Sequence, residues 1–467
     1  MARQPASTAK SPLSSTVDDN VEQAGYLEDT IVALATPPGR GGIAVIRLSG
    51  ENSLGLAEAI CSAPLAEKPR HSFFTQLISP VDGEDVDQAI VTYFQKPTSF
   101  TGEDMVEIST HGGSVSPNRV IRLLLRLGAR HALPGEFTQR AFLNGKLDLA
   151  EAESLNQVIG SLSRRSQSAA LQNLEGRLSK EIASIRQNML NLLAVLEHEL
   201  DFSEDEIEHS TQTEIAKQLA RVRERLQRLK DTIPYGRVIR EGVRVVITGR
   251  TNAGKSSLFN ALVGQEKALV TQIPGTTRDS LEAWVEMDGF PVCLIDTAGL
   301  RDSTDALEKL SMERSRLQLQ TADIVLLLDP EDPHSFADEI SLTRYKTVLY
   351  VKSKVDILEK VEANGAITVS VKRTDGLDQV TAALLDTLER LAPDENGSIV
   401  TSVRQADGLE KALSQLDRVK ILLVQGHGMD IISEELRHAI ELLAEIIGET
   451  TDEDVLLEIF REFCVGK

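Results

Sequence analysis

Proline is distributed unevenly along this chain, and that distribution limits the possible folds more than any other feature of the sequence. Prolines occur up to Pro134, are absent from 135 to 233, return between Pro234 and Pro393, and are absent again from 394 onward. Both proline-free stretches carry apolar residues at helical spacing, as in LNLLAVLEHELDF and ISEELRHAIELLAEIIGE. Because helices tolerate proline poorly beyond their first turn, each stretch is predicted to hold several helices.

The stretch between them has a different pattern. It contains the short apolar runs VRVVITG, FPVCLIDTAG, ADIVLLLD, KTVLYVKS and AITVSVK, separated by helical or loop segments. This alternation is typical of a mostly parallel sheet in an α/β domain. Because amphipathic helices must bury their apolar stripes, we expect the two helical stretches to pack against each other around an inserted α/β domain. An independent C-terminal helical domain is the alternative.

A multidomain α/β organisation follows, since 467 residues suit about three domains. Residues 27 to 145 mix strand-like runs with glycine-rich turns and are predicted to be α+β. The predicted segments are a disordered extension over 1–26, the α+β domain over 27–145, a discontinuous all-α domain over 146–236 and 393–467, and the inserted α/β domain over 237–392.

Composition narrows the class of protein. The chain has 71 acidic and 50 basic residues and a net charge of −21, so contact with RNA should be local, weak or shared with a partner. No apolar run approaches the roughly 20 residues that a membrane span needs. The three widely separated cysteines form no disulfide framework and fit a reducing compartment. We expect a cytoplasmic protein that does not contact a membrane.

The segment GRTNAGKSS carries the strongest chemical motif. Its residues Gly249, Gly254, Lys255 and Ser256 match the phosphate-loop spacing GxxxxGK[ST]. In such a loop backbone N–H groups point at the phosphates, the lysine reaches the β and γ phosphates, and the hydroxyl ligates Mg²⁺ at a helix N-terminus. A predicted strand precedes the loop and a predicted helix follows it, as the motif requires.

Downstream motifs indicate guanine as the base. In DTAG, Asp296 can hold Mg²⁺ through water, and GTTRD supplies Thr277 as a second Mg²⁺ ligand beside Ser256. In SKVD, Asp356 can accept from the guanine N1 and exocyclic amine, a pair of donors that adenine lacks. The order and spacing of these motifs resemble the Ras-like GTPases. The predicted GTP-binding residues are Asn252, Ala253, Gly254, Lys255, Ser256, Ser257, Thr271, Gln272, Ile273, Pro274, Gly275, Thr276, Thr277, Asp296, Thr297, Ala298, Gly299, Ser353, Lys354, Asp356, Ser370, Val371 and Lys372.

Two positions depart from the pattern of those GTPases. Leu300 follows the DTAG glycine, where many of them place a glutamine that orients the attacking water. Leucine cannot orient water, so either hydrolysis is slow or another residue and another cation assist it. Ser353 stands where they place an asparagine, and its single hydroxyl cannot replace an amide that both donates and accepts. Affinity for guanine nucleotides should therefore be lower, with selectivity retained by Asp356.

From about Asp29 to the last residue, the chain resembles the MnmE (TrmE) family of bacterial tRNA-modification GTPases. The motifs that carry the resemblance are TIVALATPPGRGGIAVIRLSG, FTGEDMVEI, PGEFTQRAFLNGKLDLAEAE, GRTNAGKSSLFNAL, GTTRD, DTAGLR and FCVGK. The resemblance implies an N-terminal folate-binding domain, a discontinuous helical domain and an inserted Ras-like GTPase domain. It also implies a homodimer built through the N-terminal domains.

The resemblance further implies a site for 5-formyltetrahydrofolate or a related reduced folate. Carried over to this sequence, the folate contacts fall on Arg47, Glu107, Lys146 and Lys467. Taken as residues alone, these positions favour a surface arginine, a strand-edge glutamate and two solvated lysines, and their place within the matching motifs is what favours folate contacts. Cys464 is left open between a reactive thiol near the folate and a small apolar filler beside Phe463.

For hydrolysis, the resemblance implies two replacements for the absent glutamine. Glu308 takes the water-positioning role, and the less favoured alternative is a solvated helix carboxylate. A potassium ion beside the phosphates takes the cationic role that an arginine finger has elsewhere. Its implied ligands are Asn252, Thr271, Ile273 and Thr276.

The implied reaction adds a carboxymethylaminomethyl-type group at carbon 5 of the wobble uridine of certain tRNAs. Its implied partner is an FAD-dependent MnmG-type protein, which forms a heterotetramer with the homodimer and supplies most of the contact with tRNA. That division suits the acidic composition of this chain. A regulatory GTP switch in ribosome assembly is the alternative function, and it would have no use for a folate site.

Overall fold

The computed structural model describes residues 29–200, 209–268, 281–297, 317–339, 347–357, 365–373, 375–392 and 397–466. The chain divides into two compact units. The first unit combines Met1–Ala152 with Thr451–Lys467, and the second is Glu153–Thr450. None of the described helices has the length and hydrophobicity needed to cross a membrane.

The first unit contains a six-stranded, mostly antiparallel sheet of strand order β3-β4-β5-β2-β1-β6. Its strands are β1 (Ile31–Leu34), β2 (Ile43–Ser49), β3 (Ser72–Ile78), β4 (Asp85–Phe94), β5 (Met105–His111) and β6 (Arg130–His131). The helices α1 (Ser53–Ile60) and α2 (Val115–Arg126) share a core with this sheet. This arrangement matches the α+β class that the sequence predicts.

The C-terminal segment belongs to the first unit, whereas the sequence placed all of 393–467 in the helical domain. Helix α14 (Glu453–Arg461) follows the unit boundary, and its Phe460 packs with Phe463 on Leu149 and Phe142. Those partners come from α3 (Glu136–Leu143) and the start of α4 (Leu149–Gly160). The apolar face of the last helix is therefore buried against residues of the first unit.

The second unit contains a seven-stranded sheet of order β13-β12-β11-β7-β10-β9-β8. Its strands are β7 (Val243–Gly249), β8 (Lys267–Ala268), β9 (Leu281–Met287), β10 (Phe290–Asp296), β11 (Ile324–Asp329), β12 (Val348–Ser353) and β13 (Ile367–Val369). Pairing is parallel from β13 to β10 and antiparallel at β9 and β8. The mostly parallel sheet predicted for the inserted domain is confirmed. Its helices are α9 (Lys255–Gln265), α10 (Pro333–Glu339) and α11 (Leu377–Leu391).

The remaining helices of the second unit come from both sides of the inserted domain. They are α5 (Arg164–Leu174), α6 (Arg177–Leu200), α7 (His209–Asp231), α8 (Ile233–Glu241), α12 (Val403–Gln425) and α13 (Met429–Ile447). One continuous core joins leucines and isoleucines of α6 and α7 to those of α12 and α13. The two proline-free stretches therefore pack on each other as predicted, and an independent C-terminal helical domain is excluded.

The chain enters and leaves the inserted domain at one place, where the backbone passes very close to a helix. A Cβ on Gly236 of α8 would lie 1.8 Å from the carbonyl oxygen of Val400. The Val400 N–H donates to the Thr232 hydroxyl over 3.1 Å, and the Asn173 amide donates to the Ile399 carbonyl over 2.9 Å. Hydrogen bonds thus hold the returning segment against α5 and the start of α8, next to Gly236.

This contact predicts that Gly236→Ala destabilises the second unit by about 3 kcal/mol, because the added methyl meets a fixed carbonyl. Gly264 of α9 is the matched control, since a Cβ there meets no atom within 4 Å. Gly264→Ala should be neutral or stabilise by about 0.5–1 kcal/mol. Urea unfolding followed by circular dichroism measures both variants, and equal stability of the two would contradict the close approach.

Candidate functional site

The phosphate loop connects β7 to α9 with a backbone that only certain residues can adopt. Gly249 has φ +148° and Gly254 has φ +94°. A Cβ on Gly249 would lie 2.0 Å from the carbonyl oxygen of Leu328, so glycine is required where the loop passes β11. Asn252 also has a positive φ, of 65°, which asparagine tolerates better than most residues. The sequence motif therefore forms a loop of the predicted kind.

Lys255 begins helix α9 and turns its ammonium back into the loop. The Nζ atom donates to the carbonyl oxygens of Gly249 at 2.9 Å and Arg250 at 2.8 Å, and the residue is only 8% exposed. Next to it, Ser256 lies in the first turn of the same helix. The charge and the helix N-terminus together suit an anionic phosphate.

Arg250 anchors this loop to the neighbouring strand, a role that the sequence reasoning missed. Its Nε donates over 2.7 Å to a carboxylate oxygen of Asp329, which is fully buried at the end of β11. The guanidinium also lies 4.7 Å from the ring centroid of Phe336. The sequence does contain a signal for this contact: Asp329 ends the apolar run ADIVLLLD, and a buried carboxylate there needs a cationic partner such as Arg250.

The predicted magnesium side of the site lies at the end of β10. Asp296 is 2% exposed and pairs in register with Ile247 of β7, two residues before the phosphate loop. The following Thr297 hydroxyl donates to the Ile247 carbonyl over 2.9 Å. Asp296 and the phosphate loop therefore meet at the carboxyl ends of adjacent parallel strands, the usual ligand position in such sheets.

The predicted guanine side lies after β12 and β13. Asp356 accepts a 2.7 Å hydrogen bond from the Ser370 hydroxyl, and this hydrogen bond is the main cause of a pKa below the usual value for Asp356. The carboxylate is thus kept ionised and oriented. Lys354 has φ +58°, which turns the chain between β12 and Asp356. Val371 and Lys372 follow Ser370 in the turn after β13.

Ser353 differs from its neighbours in this part of the site. It is the last residue of β12 and is 4% exposed. Among the residues that the structure describes, its Oγ atom has no hydrogen-bond partner. The hydroxyl therefore does not tie this loop to the phosphate loop.

Several predicted site residues, including those of the GTTRD motif, lie outside the described residues. The phosphate-loop, β10-end and base-side residues are described, including Ala253, which is fully buried, and Ser257, which is exposed. The residues outside are Thr271, Gln272, Ile273, Pro274, Gly275, Thr276, Thr277, Ala298, Gly299, Leu300, Glu308 and Lys467. The predictions made for them stay predictions.

A second candidate site lies in the first unit around Arg47. Arg47 of β2 lies opposite Glu107 of β5 in the sheet register, and its guanidinium donates to the Glu107 carboxylate over 2.8 and 3.0 Å. The same guanidinium donates over 3.3 Å to the carbonyl oxygen of Gly466. Both side chains keep about a quarter of their surface exposed, at 21% and 27%. Three distant sequence motifs therefore meet at one solvent-accessible ion pair.

Lys146 does not join the ion pair of Arg47 and Glu107. It contacts a neighbouring loop of the first unit. Its Nζ donates to the Pro97 carbonyl over 3.1 Å. A Cβ on Gly102, whose φ is +80°, would lie 3.3 Å from the Lys146 side chain. Phe100 of that loop lies 5.7 Å from the Arg47 guanidinium, measured to the ring centroid. The loop of residues 97–102 thus separates the two predicted cationic contacts.

Beneath this site lies a buried charged network that the sequence reasoning did not identify. Arg140 is 1% exposed and donates to Glu136 over 3.0 Å and to Glu103 over 3.1 Å. Burial raises the pKa of Glu136, but hydrogen bonds from Arg130 and the Leu133 N–H and the charge of Arg140 outweigh it, so that pKa is lowered. The ionised network fixes α3 beneath the sheet.

The cysteines differ in environment. Cys293 lies in the fully buried strand β10, where burial raises the pKa of its thiol to about 11. Cys464 is exposed, so the interpretation of its side chain as an apolar filler is wrong. Its carbonyl oxygen accepts from the Gly135 N–H over 3.4 Å, and the next residue, Val465, forms a bridge with Pro134. At Cys464 and Val465, therefore, the chain is held to the first unit by backbone contacts.

Two family profiles match the chain. The profile described as the MnmE helical domain matches residues 149–464. The profile described as the GTP-binding protein TrmE N-terminus matches residues 30–146.

Curated relatives match along nearly the whole chain. The tRNA modification GTPase MnmE of Geobacillus thermodenitrificans is 39% identical over 465 residues, which cover 94% of this chain and 99% of the relative. The protein of the same name from Aquifex aeolicus is 38% identical over 453 residues, with coverage of 94% and 100%. That from Laribacter hongkongensis is 40% identical over 455 residues, with coverage of 95% and 100%.

Solved structures match a shorter part. The G domain of the T. maritima FeoB iron transporter is 25% identical and covers 31% of this chain and 97% of that chain, but its TM-score of 0.25 is too low to carry weight. The full-length relatives and the profile over 149–464 decide the assignment: the chain belongs to the MnmE family of tRNA modification GTPases.

Proposed function

We propose that this GTPase acts with a reduced folate and an FAD-dependent MnmG-type partner to add a carboxymethylaminomethyl-type group at carbon 5 of the wobble uridine of certain tRNAs. The observation that carries the proposal is the meeting of Arg47, Glu107 and the Gly466 carbonyl at one accessible ion pair. This arrangement accompanies a nucleotide site in the same chain. A protein whose only activity is a conformational switch driven by GTP would not need this ion pair. The arrangement therefore disfavours a regulatory role in ribosome assembly.

The residues of the nucleotide site have separable tasks in this proposal. Asp356, ionised and oriented by Ser370, selects guanine. The Lys255 ammonium donates to the Gly249 and Arg250 carbonyl oxygens. When a nucleotide binds, it would donate to the β and γ phosphates instead. Ser256 and Asp296 are oxygen donors suited to hold Mg²⁺, with Thr277 of the GTTRD motif as a further proposed ligand. When bound, the ion would neutralise the negative charge that develops on the phosphates.

The residues of the first unit fit a reduced folate by their chemistry. A pterin ring presents adjacent N–H and amine donors, and a partly exposed carboxylate such as Glu107 can accept from such a pair. The glutamate tail of a folate is anionic and suits the cations Arg47, Lys146 and Lys467. When bound, the folate supplies the one-carbon unit. Arg47 holds Glu107 in place, and the partly exposed Phe100 ring lies 5.7 Å from its guanidinium.

The proposed assembly is a homodimer joined through the first units. Phe74 of β3 and Ile90 of β4 lie opposite each other in the sheet and are 72% and 47% exposed. Exposed apolar pairs of this size on a sheet face are typical of an interaction surface, and a second copy of the unit is the occupant we infer. The net charge of −21 supports leaving most of the tRNA contact to the partner.

The folate proposal predicts that 5-formyltetrahydrofolate binds the full-length protein and that Arg47→Gln weakens binding at least tenfold, because a charge-assisted contact is lost. Arg119→Gln is the matched control, since Arg119 pairs with Glu84 on the surface of the same unit. Isothermal titration measures all three proteins. A wild-type protein that binds no reduced folate would favour the regulatory switch instead.

A second prediction concerns potassium. GTP turnover should be faster in potassium chloride than in sodium chloride at equal ionic strength, because the Asn252 amide oxygen and the segment from Thr271 to Thr276 are proposed to hold that cation. Asn252→Ala should remove the difference between the salts. Glu308→Ala should lower turnover in both salts while nucleotide affinity stays nearly constant, as expected for a residue that acts on the attacking water. Equal wild-type rates in the two salts would refute the potassium site.

A third prediction follows from the buried Ser353 hydroxyl. Ser353→Asn should tighten GDP and GTP binding about fivefold, roughly 1 kcal/mol for one regained hydrogen bond, because an amide reaches further and both donates and accepts. Selectivity over ATP should not change, since Asp356 provides it. Ser353→Ala is the control and should bind nearly as the wild type does, because the hydroxyl has no partner among the described residues. Titration of a fluorescent GDP analogue measures the three affinities. Unchanged affinity in Ser353→Asn would mean that water or a neighbour already replaces the amide.

A further inference from the structure

A cavity of about 930 Å³ lies in the second unit, beside the place where the chain leaves and re-enters the helical part. We call it the junction cavity. It is lined by the end of α5, the first turns of α6, the last turns of α7 and the returning segment at Gly397 and Ser398. The nucleotide-site residues and Arg47 are not among those that line it, so neither site described above accounts for it.

The lining of the junction cavity is rich in cations. Four of its residues are basic, namely Arg177, Lys180, Arg225 and Arg228, and two are acidic, namely Glu175 and Glu181. These six described residues carry an excess of two positive charges, which the neighbouring Glu224 carboxylate on Arg228 reduces to one, in a chain whose net charge is −21. The cavity is therefore a local basic site in an acidic protein.

The partners of these cations divide them into two pairs. Arg225 donates to the Glu181 carboxylate over 2.9 Å and Arg228 to that of Glu224 over 2.8 Å. Arg177 instead donates to the Gln172 side-chain oxygen over 2.6 Å, and Lys180 to the Glu175 carbonyl over 2.9 Å. Within the described residues, Arg177 and Lys180 thus have neutral partners only. Both are exposed and keep their charge available to an anion.

We propose that the junction cavity binds a small phosphate-bearing metabolite of about mononucleotide size. Guanidinium and ammonium groups are the side chains that bind phosphate best, the first through paired N–H donors and the second as a compact charge. The volume lies within the range of small-molecule sites and is large enough for a nucleotide. Arg177 and Lys180, whose described partners are neutral, together supply two positive charges, which match a phosphate group at neutral pH.

An RNA backbone fits the same residues less well. Polymer binding needs a basic stripe that follows successive phosphates, because affinity grows with the number of phosphates neutralised. Among the described lining residues, Arg177 and Lys180 are the two cations with neutral partners, and Glu175, Glu181 and Glu224 lie beside them, so this lining forms no continuous basic stripe. The small ligand is therefore the better occupant, and RNA is an outcome that the test must distinguish.

The position of the cavity gives such a ligand a connection with the inserted domain. The Ser398 hydroxyl donates to the Arg177 carbonyl over 3.3 Å, so the returning segment is attached to the first turn of α6. Thr232, another lining residue, accepts from the Val400 N–H over 3.1 Å. A ligand held by Arg177 and Lys180 would thus contact both connections to the inserted domain. The proposal goes beyond the tRNA-modification function and does not depend on the folate site.

The test is isothermal titration of pyrophosphate into the full-length protein in the presence of excess GDP, which keeps the phosphate loop occupied. Saturable binding at one site per chain is expected. Arg177→Gln and Lys180→Gln should each weaken it about tenfold, because each removes a charge-assisted contact. Arg221→Gln is the matched control, since Arg221 lies on α7 and is exposed but is not among the residues that line the cavity. The control should bind pyrophosphate as the wild type does.

Three results would overturn the proposal. They are the absence of saturable pyrophosphate binding, an equal loss in Arg221→Gln, and a single-stranded RNA 12-mer whose binding requires Arg177 and is not displaced by pyrophosphate. Unchanged GDP affinity and far-ultraviolet circular dichroism establish that each variant is folded. Because Arg177 and Lys180 are tested separately, misfolding of one variant leaves the other to decide.

Discussion

The structure of the second unit depends on one burial event, in which helices made before and after the inserted domain close a single apolar core. Leucines and isoleucines of α6 and α7 pack with those of α12 and α13. None of these amphipathic helices could bury its stripe alone, so each half requires the other. The inserted domain is consequently tied at both ends to one rigid body. Thr232, Gly236 and Val400 mark the place where the two connections touch.

The sequence predicts this arrangement well because its signals are local and periodic. The absence of proline, the spacing of the apolar residues and the short apolar runs of the sheet are each legible over ten to twenty residues. The phosphate loop is similarly legible, because Gly249 and Gly254 are needed for backbone reasons that hold in any chain with this loop. Asp356 and Ser370 were predicted as separate contacts and are found joined by a hydrogen bond.

Contacts between residues far apart in the chain could not be predicted from the sequence, because no repeating pattern of residues indicates them. Helix α14 continues the helical pattern of its neighbours, so its placement on Phe142 and Leu149 of the first unit was unpredictable from spacing. Arg250 and Asp329 form an ion pair across 79 positions, and Arg140 assembles its network from residues up to 111 positions away. The family resemblance supplied Arg47 and Glu107 as a pair. It did not reveal that the 97–102 loop lies between Arg47 and Lys146.

The contact between Arg47 and the Gly466 carbonyl has a consequence for how the protein is made. The two residues are 419 positions apart, whereas the strands of the first sheet all precede residue 132. During synthesis the sheet can form early, but Phe142 and Leu149 stay uncovered until α14 has been translated. The first part of the chain to emerge from the ribosome is therefore completed last. A chain whose translation stops after the inserted domain but before α14 lacks the last helix of the first unit. The apolar surface that this helix would cover then stays exposed, where chaperones and proteases can recognise it.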